Sequence, residues 1–364
     1  VNGIFLYVRQ GFEDDAQQEL VDKLGSLSIR HAQTRLKPSS AYVCCSIESL
    51  PGPTSRKTVN FDSLVFARQL VWIADVIDLP TTGDRVTPIM TAILEKLLPT
   101  AGSNAFSALS LETPDTDEAK ELSQFCKSLT RPLENALNKA RLLPKGKGAA
   151  HLPRIHVILL SSVRVLVGLS DIENSSPWTT GIPRLKFPSD APSRSTLKLE
   201  EAFLLFLGRE KSAKLLQPGM VAVDLGACPG GWTYQFVKRN IKTIAVDNGS
   251  IAPALMQTGL VTHLAEDAFK FRPQEMVDWL VCDVVEQPSK ITDLVLYWFT
   301  RRYCKFAIFN LKLPMKRRYE EVKTCLNHLQ STCAREGLMI KLRAKQLYHD
   351  RKEVTVFAAM SLKS

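Results

Sequence analysis

The spacing of apolar and polar positions differs between the two halves of the chain. In the first half, residues 3–8 form a short apolar run that predicts a strand. Phe12, Ala16, Leu20 and Leu24 then recur at every fourth position behind the acidic turn Glu13-Asp14-Asp15, the pattern of a helix. Residues 41–47 predict another strand. Beyond Pro80 and Gly83 the pattern gives a helix over 88–98, a strand over 105–111 and a helix over 117–129. A further helix over 132–142 runs into the breaker Pro144-Lys145-Gly146-Lys147-Gly148. Two apolar runs, 155–160 and 163–169, are separated only by Ser161 and Ser162 and read as a hairpin. This half is α+β without a catalytic constellation, so binding or positioning is its expected work. Residues 171–195, rich in Ser, Pro, Asn and Thr, read as a linker or ordered loop. After it, the apolar runs Val221–Leu225, 243–246, 279–282 and 306–311 alternate with helical stretches, which predicts a mostly parallel sheet covered on both faces.

At 364 residues the chain has room for two or three domains. Its 45% hydrophobic and 23% charged residues are those of an ordinary globular protein, and no apolar stretch approaches the roughly 18 residues of a membrane span. Neither a signal peptide nor a membrane association is expected, and Val1 leaves the exact N-terminus open. The eight cysteines lack C-x-x-C spacing and mostly lie in apolar runs, which predicts reduced, buried thiols and a cytoplasmic protein. The net charge of +10 is concentrated: residues 301–352 hold fourteen Lys or Arg against four acids. Such a field suits a polyanion, because neutralised phosphates release counterions; a solvated basic face is the plainer account.

Chemistry is concentrated after residue 190. Residues 221–232 run as a buried strand, a turn Gly226-Ala227-Cys228-Pro229-Gly230-Gly231 and the start of a helix over 233–238, where backbone can approach a ligand closely. Asp247 closes the next strand, twenty-one residues beyond Gly226, the separation at which an acid holds ribose hydroxyls in doubly wound folds. The turn is not G-x-G-x-x-G, and Asp224 stands at its mouth, so a cationic sulfonium cofactor, S-adenosylmethionine, fits better than a pyrophosphate. A purely structural β-to-α turn would also account for the glycines. Asp267, after the third sheet segment, is placed for an adenine amino group, and Asp283 closes the fourth strand beside the expected transfer site; either acid alone is equally a helix cap.

Methyl transfer to a ribose hydroxyl needs a base. A lysine serves if burial and neighbouring cations keep its pKa low, and two lysines with two carboxylates would supply base, tuning and orientation. Ser193-Arg194-Ser195-Thr196-Leu197-Lys198-Leu199-Glu200-Glu201, Asp283, Asn310-Leu311-Lys312-Leu313-Pro314 and Arg351-Lys352-Glu353-Val354 resemble the Lys-Asp-Lys-Glu tetrad of FtsJ-like ribose methyltransferases. More specifically, residues 181–188, the 227–232 loop, Leu313-Pro314-Met315-Lys316 and residues 346–350 look like the ribosomal RNA large subunit methyltransferase M family, nearly end to end. The resemblance implies a ferredoxin-like domain over 1–78, a THUMP RNA-binding domain over 79–170, a linker over 171–195 and a Rossmann-like methyltransferase domain over 196–364. It implies 2′-O-methylation of a cytidine near the peptidyl transferase centre of 23S RNA, with no obligate protein partner. It also implies Lys312 as proton acceptor, with Lys198, Asp283 and Glu353 completing the tetrad. Ser195, Gly226, Cys228, Pro229, Gly230, Gly231, Asp247, Asp267 and Asp283 are the implied cofactor contacts.

Cys282 beside Asp283 invites comparison with pyrimidine C5 methyltransferases, but its apolar run favours a core position, and Cys228 is a turn residue rather than a nucleophile. Neither Asn-Pro-Pro-Tyr nor Asp-Pro-Pro-Tyr, the signatures of amino-group methylation, occurs. The six scattered histidines give no support to a metal. His349 reads as packing or an RNA contact, and Trp178, Trp232, Trp279 and Trp298 as core or interdomain packing, although Tyr348 and Trp178 lie where a base could stack. Two other functions stay open on the residues alone: a non-catalytic RNA-binding or assembly factor that retains the scaffold, and a nicotinamide oxidoreductase, which the missing glycine fingerprint disfavours.

Overall fold

In the structure, a computed structural model that describes residues 2–33, 36–144, 146, 149 and 151–361, the strands of the first half join one mixed sheet. They are β1 (Gly3–Tyr7), β2 (His31–Gln33), β3 (Tyr42–Ile47), β4 (Gln69–Asp78), β5 (Leu109–Glu112), β6 (Arg154–Leu159) and β7 (Arg164–Ser170), in the order β2-β3-β1-β4-β7-β6-β5. Among the described residues of this sheet, only β5 and β6 pair in parallel. The hairpin expected around Ser161 and Ser162 is β6–β7. The central strand β4 was not legible in the sequence: its first six residues are all buried, so the alternation that marks a half-exposed strand is missing.

The break expected between residues 129 and 132 is also corrected. One helix, Ser123–Lys139, runs through Pro132. Cys126, Leu129, Leu133 and Leu137 form its buried stripe, and burying that stripe outweighs a proline cost of about 3 kcal/mol. The helix expected over 88–98 is Val86–Ala92, followed by a π turn at Ile93–Leu97 and a short helix, Leu98–Ala101. Within the expected breaker, Lys145, Lys147 and Gly148 lie outside the described residues.

The chain divides into two units, Val1–Pro183 and Arg184–Ser364. The second is built on β8 (Val221–Leu225), β9 (Lys242–Val246), β10 (Val261–Leu264), β11 (Val277–Cys282), β12 (Cys304–Lys312), β13 (Ile340–Lys345) and β14 (Glu353–Met360). Their order is β10-β9-β8-β11-β12-β14-β13. The strands from β8 to β12 are mutually parallel, and β14 runs antiparallel to both β12 and β13. Trp279 and Val281 of β11 enter a cluster with Leu199, Phe203, Phe206, Phe236 and Ile308. Leu280 and Cys282 are equally buried, and alternation sends them to the opposite face, so β11 is covered on both sides. Among the described residues, no helix is long and apolar enough to cross a membrane.

Candidate active site

The carboxyl edge of a parallel sheet gathers whatever follows each strand. Asp283 follows β11 directly, and Lys312 is the last residue of β12. Glu353 opens β14, and because β14 runs the other way its first residue falls at the same edge, in register with Lys312. Lys198 comes from the first turn of the helix Thr196–Phe206.

The four side chains close a ring of alternating charge. Lys312 Nζ contacts Asp283 Oδ1 and Glu353 Oε2, and Lys198 Nζ contacts Glu353 Oε1 and lies 3.3 Å from Asp283 Oδ2. All four are mostly buried, Glu353 most deeply at 7% side-chain exposure. Burial opposes the charge on Asp283, but Lys312, then Lys198, and hydrogen bonds from Lys312 and Asn310 outweigh it and hold the carboxyl below its ordinary value. Burial likewise pulls the Lys312 amine down, yet Asp283 and Glu353 hold it above the ordinary lysine value. The expectation that neighbouring cations keep a catalytic lysine's pKa low is therefore reversed in the protein alone, because the groups facing Lys312 are two carboxylates.

A second tier lies under this ring. Asn310 and Thr355 are the next in-register pair on the same strand faces, two residues from Lys312 and Glu353. Asn310 Nδ2 donates to Asp283 Oδ1 at 2.8 Å, and Thr355 Oγ1 lies 2.7 Å from Asn310 Oδ1. The same hydroxyl is 3.2 and 3.0 Å from the two oxygens of Asp350, and Asp350 Oδ2 accepts from Leu347 N at 2.9 Å. Asn310, Thr355 and Asp350 are fully buried. In the sequence, Asn310 stands beside Lys312 in its motif and Asp350 ends the 346–350 segment, and neither motif includes Thr355. The i, i+2 spacing from Lys312 and Glu353 was the available signal.

The glycine turn abuts the ring. Gly226 is in the left-handed region at φ +78°, and a Cβ there would press on Val284. Asp283 N in turn lies 3.3 Å from Leu225 O. A Cβ on Gly231 would collide with Ser195 Oγ and Ser193 Oγ, which are themselves 2.7 Å apart. Ser195 thus closes over the turn, immediately before the helix that carries Lys198.

Both oxygens of Asp247 accept from backbone: Cys228 N of the glycine turn donates to Oδ2 at 3.0 Å and Gly249 N, two residues downstream, to Oδ1 at 2.7 Å. Cys228 is exposed, with Sγ 3.3 Å from Ser250 O. Asp267 is half exposed and accepts from Phe269 N at 2.9 Å, a local turn contact. Asp224 departs from expectation. It lies buried beneath the turn rather than at its mouth, with Thr233 Oγ1 donating to Oδ2 at 2.6 Å and no hydrogen-bond partner for Oδ1 among the described residues. Burial pushes its carboxyl up to about 7 against the Thr233 hydrogen bond, with Asp283 and Asp247 adding to the rise.

Cys282 is core, its thiol pushed up to about 12 by burial, which is no setting for a nucleophile. His349 Nδ1 lies 2.6 Å from Glu201 Oε2, and the backbone N–H groups of Tyr348 and His349 also donate to Glu201. The histidine therefore packs against the protein, and Tyr348 meets its ring edge-on. Exposed Met315, Lys316 and Arg317 follow Lys312, and exposed Arg351 and Lys352 precede Glu353, so basic side chains flank the ring from both strands.

Three family profiles match the chain: the RlmM ferredoxin-like domain over residues 1–71, ribosomal RNA large subunit methyltransferase M, N-terminal, over 84–171, and FtsJ-like methyltransferase over 191–332. A ribosomal RNA large subunit methyltransferase M from Methylococcus capsulatus is 48% identical over 362 residues, covering 98% of this chain and 97% of its own. Its counterpart from Proteus mirabilis is 45% identical over 359 residues, covering 98% and 96%. Among solved structures, Aeropyrum pernix fibrillarin with natively bound S-adenosyl-L-methionine aligns at 17% identity and a TM-score of 0.33, over 56% of this chain and 81% of that one.

Proposed function

From the premise that this chain belongs to the ribosomal RNA large subunit methyltransferase M family, we propose that it is a 2′-O-ribose methyltransferase of 23S RNA with Lys312 as its base. That it methylates ribosomal RNA follows from the family; the position attacked and the residues that act are our reading. The observation that carries it is the ring itself: an amine held between Asp283 and Glu353 at the carboxyl edge of the sheet, one residue from the Val284 contact with the glycine turn.

The methyl donor is S-adenosylmethionine. Its fit is testable on the chain's own atoms. The turn packs too closely for a side chain at Gly231, an unpartnered Asp224 oxygen lies beneath it, and the acids Asp247, Asp267 and Asp283 follow successive strands. An acidic edge suits a cation and repels a pyrophosphate. Ser195, the backbone of Gly226, Cys228, Pro229, Gly230 and Gly231, and the three acids would hold it. When bound, it supplies an electrophilic methyl group on a positively charged sulfur.

Lys312 Nζ takes the proton of the 2′-hydroxyl. Asp283 and Glu353 aim the amine, and Lys198 offsets their charge. Two ammonium groups and two carboxylates make a neutral ring; once Lys312 is uncharged the ring carries a net −1, a state favoured by a neighbouring cation. A lysine that is firmly protonated in the protein alone is thus made a competent base by the charge of the donor it serves.

The basic pairs Lys316-Arg317 and Arg351-Lys352 would take RNA phosphates on either side of the target nucleotide. The family resemblance supports a cytidine target, a ferredoxin-like domain over 1–78, a THUMP domain over 79–170, a linker over 171–195, and action without an obligate protein partner. Lys312→Ala should abolish methyl transfer while calorimetry finds donor affinity unchanged; turnover at the wild-type rate would refute the base. Mapping ribose methylation on large-subunit RNA by mass spectrometry, from cells with and without the intact gene, identifies the nucleotide.

A further inference from the structure

Counting hydrogens in the tier beneath the ring fixes the state of a residue that the proposed reaction does not use. Asp283, faced by two lysines, is a carboxylate and accepts only, so Asn310 must turn its amide nitrogen toward it and its Oδ1 toward Thr355. Thr355 Oγ1 has a single proton, and at 2.7 Å from Asn310 Oδ1 that proton is spoken for. Asp350 nevertheless lies 3.2 and 3.0 Å from the same hydroxyl, in a place with no exposure. An ionised Asp350 would set lone pairs against lone pairs there. The geometry closes when Asp350 carries a proton: Oδ1 donates to Thr355, and Oδ2 keeps the Leu347 N–H.

We propose that Asp350, Thr355 and Asn310 form a directed hydrogen-bond chain, headed by a neutral Asp350, that positions Asp283 and through it sets the proton affinity of Lys312. The inference rests on the reading of Lys312 as base. The charged groups around Asp350 agree with it. Burial raises its carboxyl well above the ordinary value, Glu353 and Glu201 add to the rise, and the Leu347 N–H and Lys198 oppose it without prevailing. All three are positioning residues, since none touches the reacting atoms. Their leverage is on Asp283 Oδ1, which takes one hydrogen bond from Asn310 and one from Lys312. Without the Asn310 bond, that oxygen holds the Lys312 proton more tightly. The amine's pKa then rises, and less free base is present at any given pH.

The test uses the full chain, protein-free large-subunit RNA and radiolabelled S-adenosylmethionine, with kcat followed between about pH 6 and 10. Thr355→Val removes both hydroxyl bonds. Its kcat should fall about 10–100-fold and its pH midpoint should move upward, with donor affinity and the KM for RNA unchanged; Thr355→Ser should restore all of these. Asp350→Leu should show the same kinetic defect. Asp350→Asn, whose amide can donate to Thr355 and accept from Leu347, should recover the rate and the wild-type midpoint. The chain is overturned if Asp350→Asn is as slow as Asp350→Leu, or if folded Thr355→Val keeps the wild-type pH profile. If Thr355→Val does not fold, as donor titration would reveal, the Asp350 pair decides alone. Failure of the underlying reading is separate: it appears as full turnover in Lys312→Ala, whatever the Thr355 and Asp350 variants do.

Discussion

Burial acts on the carboxyls of this site with opposite results, and the partners within 4 Å decide which. Asp283 has two ammonium groups and an amide, and stays ionised below its ordinary range. Asp224 faces no cation among the described residues and takes hydrogen bonds from the Thr233 hydroxyl and backbone, which do not offset burial, and its carboxyl is pushed up to about 7. A carboxyl whose pKa is higher in the folded than in the unfolded chain stabilises the fold fully below about pH 4, and that contribution is lost as pH rises toward the folded value. Wild type should therefore lose thermal stability relative to Asp224→Asn as pH rises from about 4 to about 7, with no further divergence above that. Melting curves of the two proteins in matched buffers measure it, and a difference that stays constant across the range would show Asp224 to be ionised throughout. Subtracting the variant cancels the other titrating groups, including Asp283, whose depressed pKa gives the opposite trend on acidification.

At the scale of strands and helices, what sequence could show depended on where the signal lay. The parallel strands β8, β9, β11 and β12 were legible because each is a continuous apolar run between turns, and Val221–Leu225 was read to the residue. The pair β13 and β14 was not read as strands: nothing in 340–360 announces that the chain reverses. Glu353 was therefore reachable only through family resemblance, although the reversal is what delivers it to Lys312. The Asn310–Thr355 tier is hidden for the same reason, because cross-strand register is not a property of either segment alone. Asp224 was misplaced because a residue at a strand's end can face inward or outward, and one sequence does not say which. The contact of Gly231 with Ser193 and Ser195 was equally invisible, and it ties the glycine turn to the helix that carries Lys198. Gly231→Ala should displace both serines, shift the first turn of that helix and cost about 1–3 kcal/mol of stability. Because Lys198 moves with the helix, methyl transfer should fall further than donor binding does. Equal losses in the two, measured by turnover and calorimetry on the same preparation, would show that the turn and the lysine are not mechanically joined.

Over the whole molecule, charge is divided as sharply as fold. Residues 1–183 hold nineteen Lys or Arg and nineteen Asp or Glu, and residues 184–364 hold twenty-eight against eighteen, so the second unit carries the entire net charge of +10. The excess is legible in the sequence, and the structure adds that Lys316 and Arg317, shortly after Lys312, and Arg351 and Lys352, just before Glu353, are exposed. Phosphate contacts reveal themselves in the salt dependence of binding, each contributing about 0.7 to the slope of log K against log salt on single strands and about 0.9 on duplex. Replacing those four residues by alanine should weaken binding to large-subunit RNA at low salt and flatten the slope by about 3. Four exposed basic residues removed from 1–183 should flatten it less, since any phosphate they meet is offset by as many acids in that unit. Filter binding between about 50 and 200 mM salt resolves such differences. If the two sets flatten the slope equally, RNA is gripped by local patches in both units, and the neutrality of the first unit does not predict where the backbone lies.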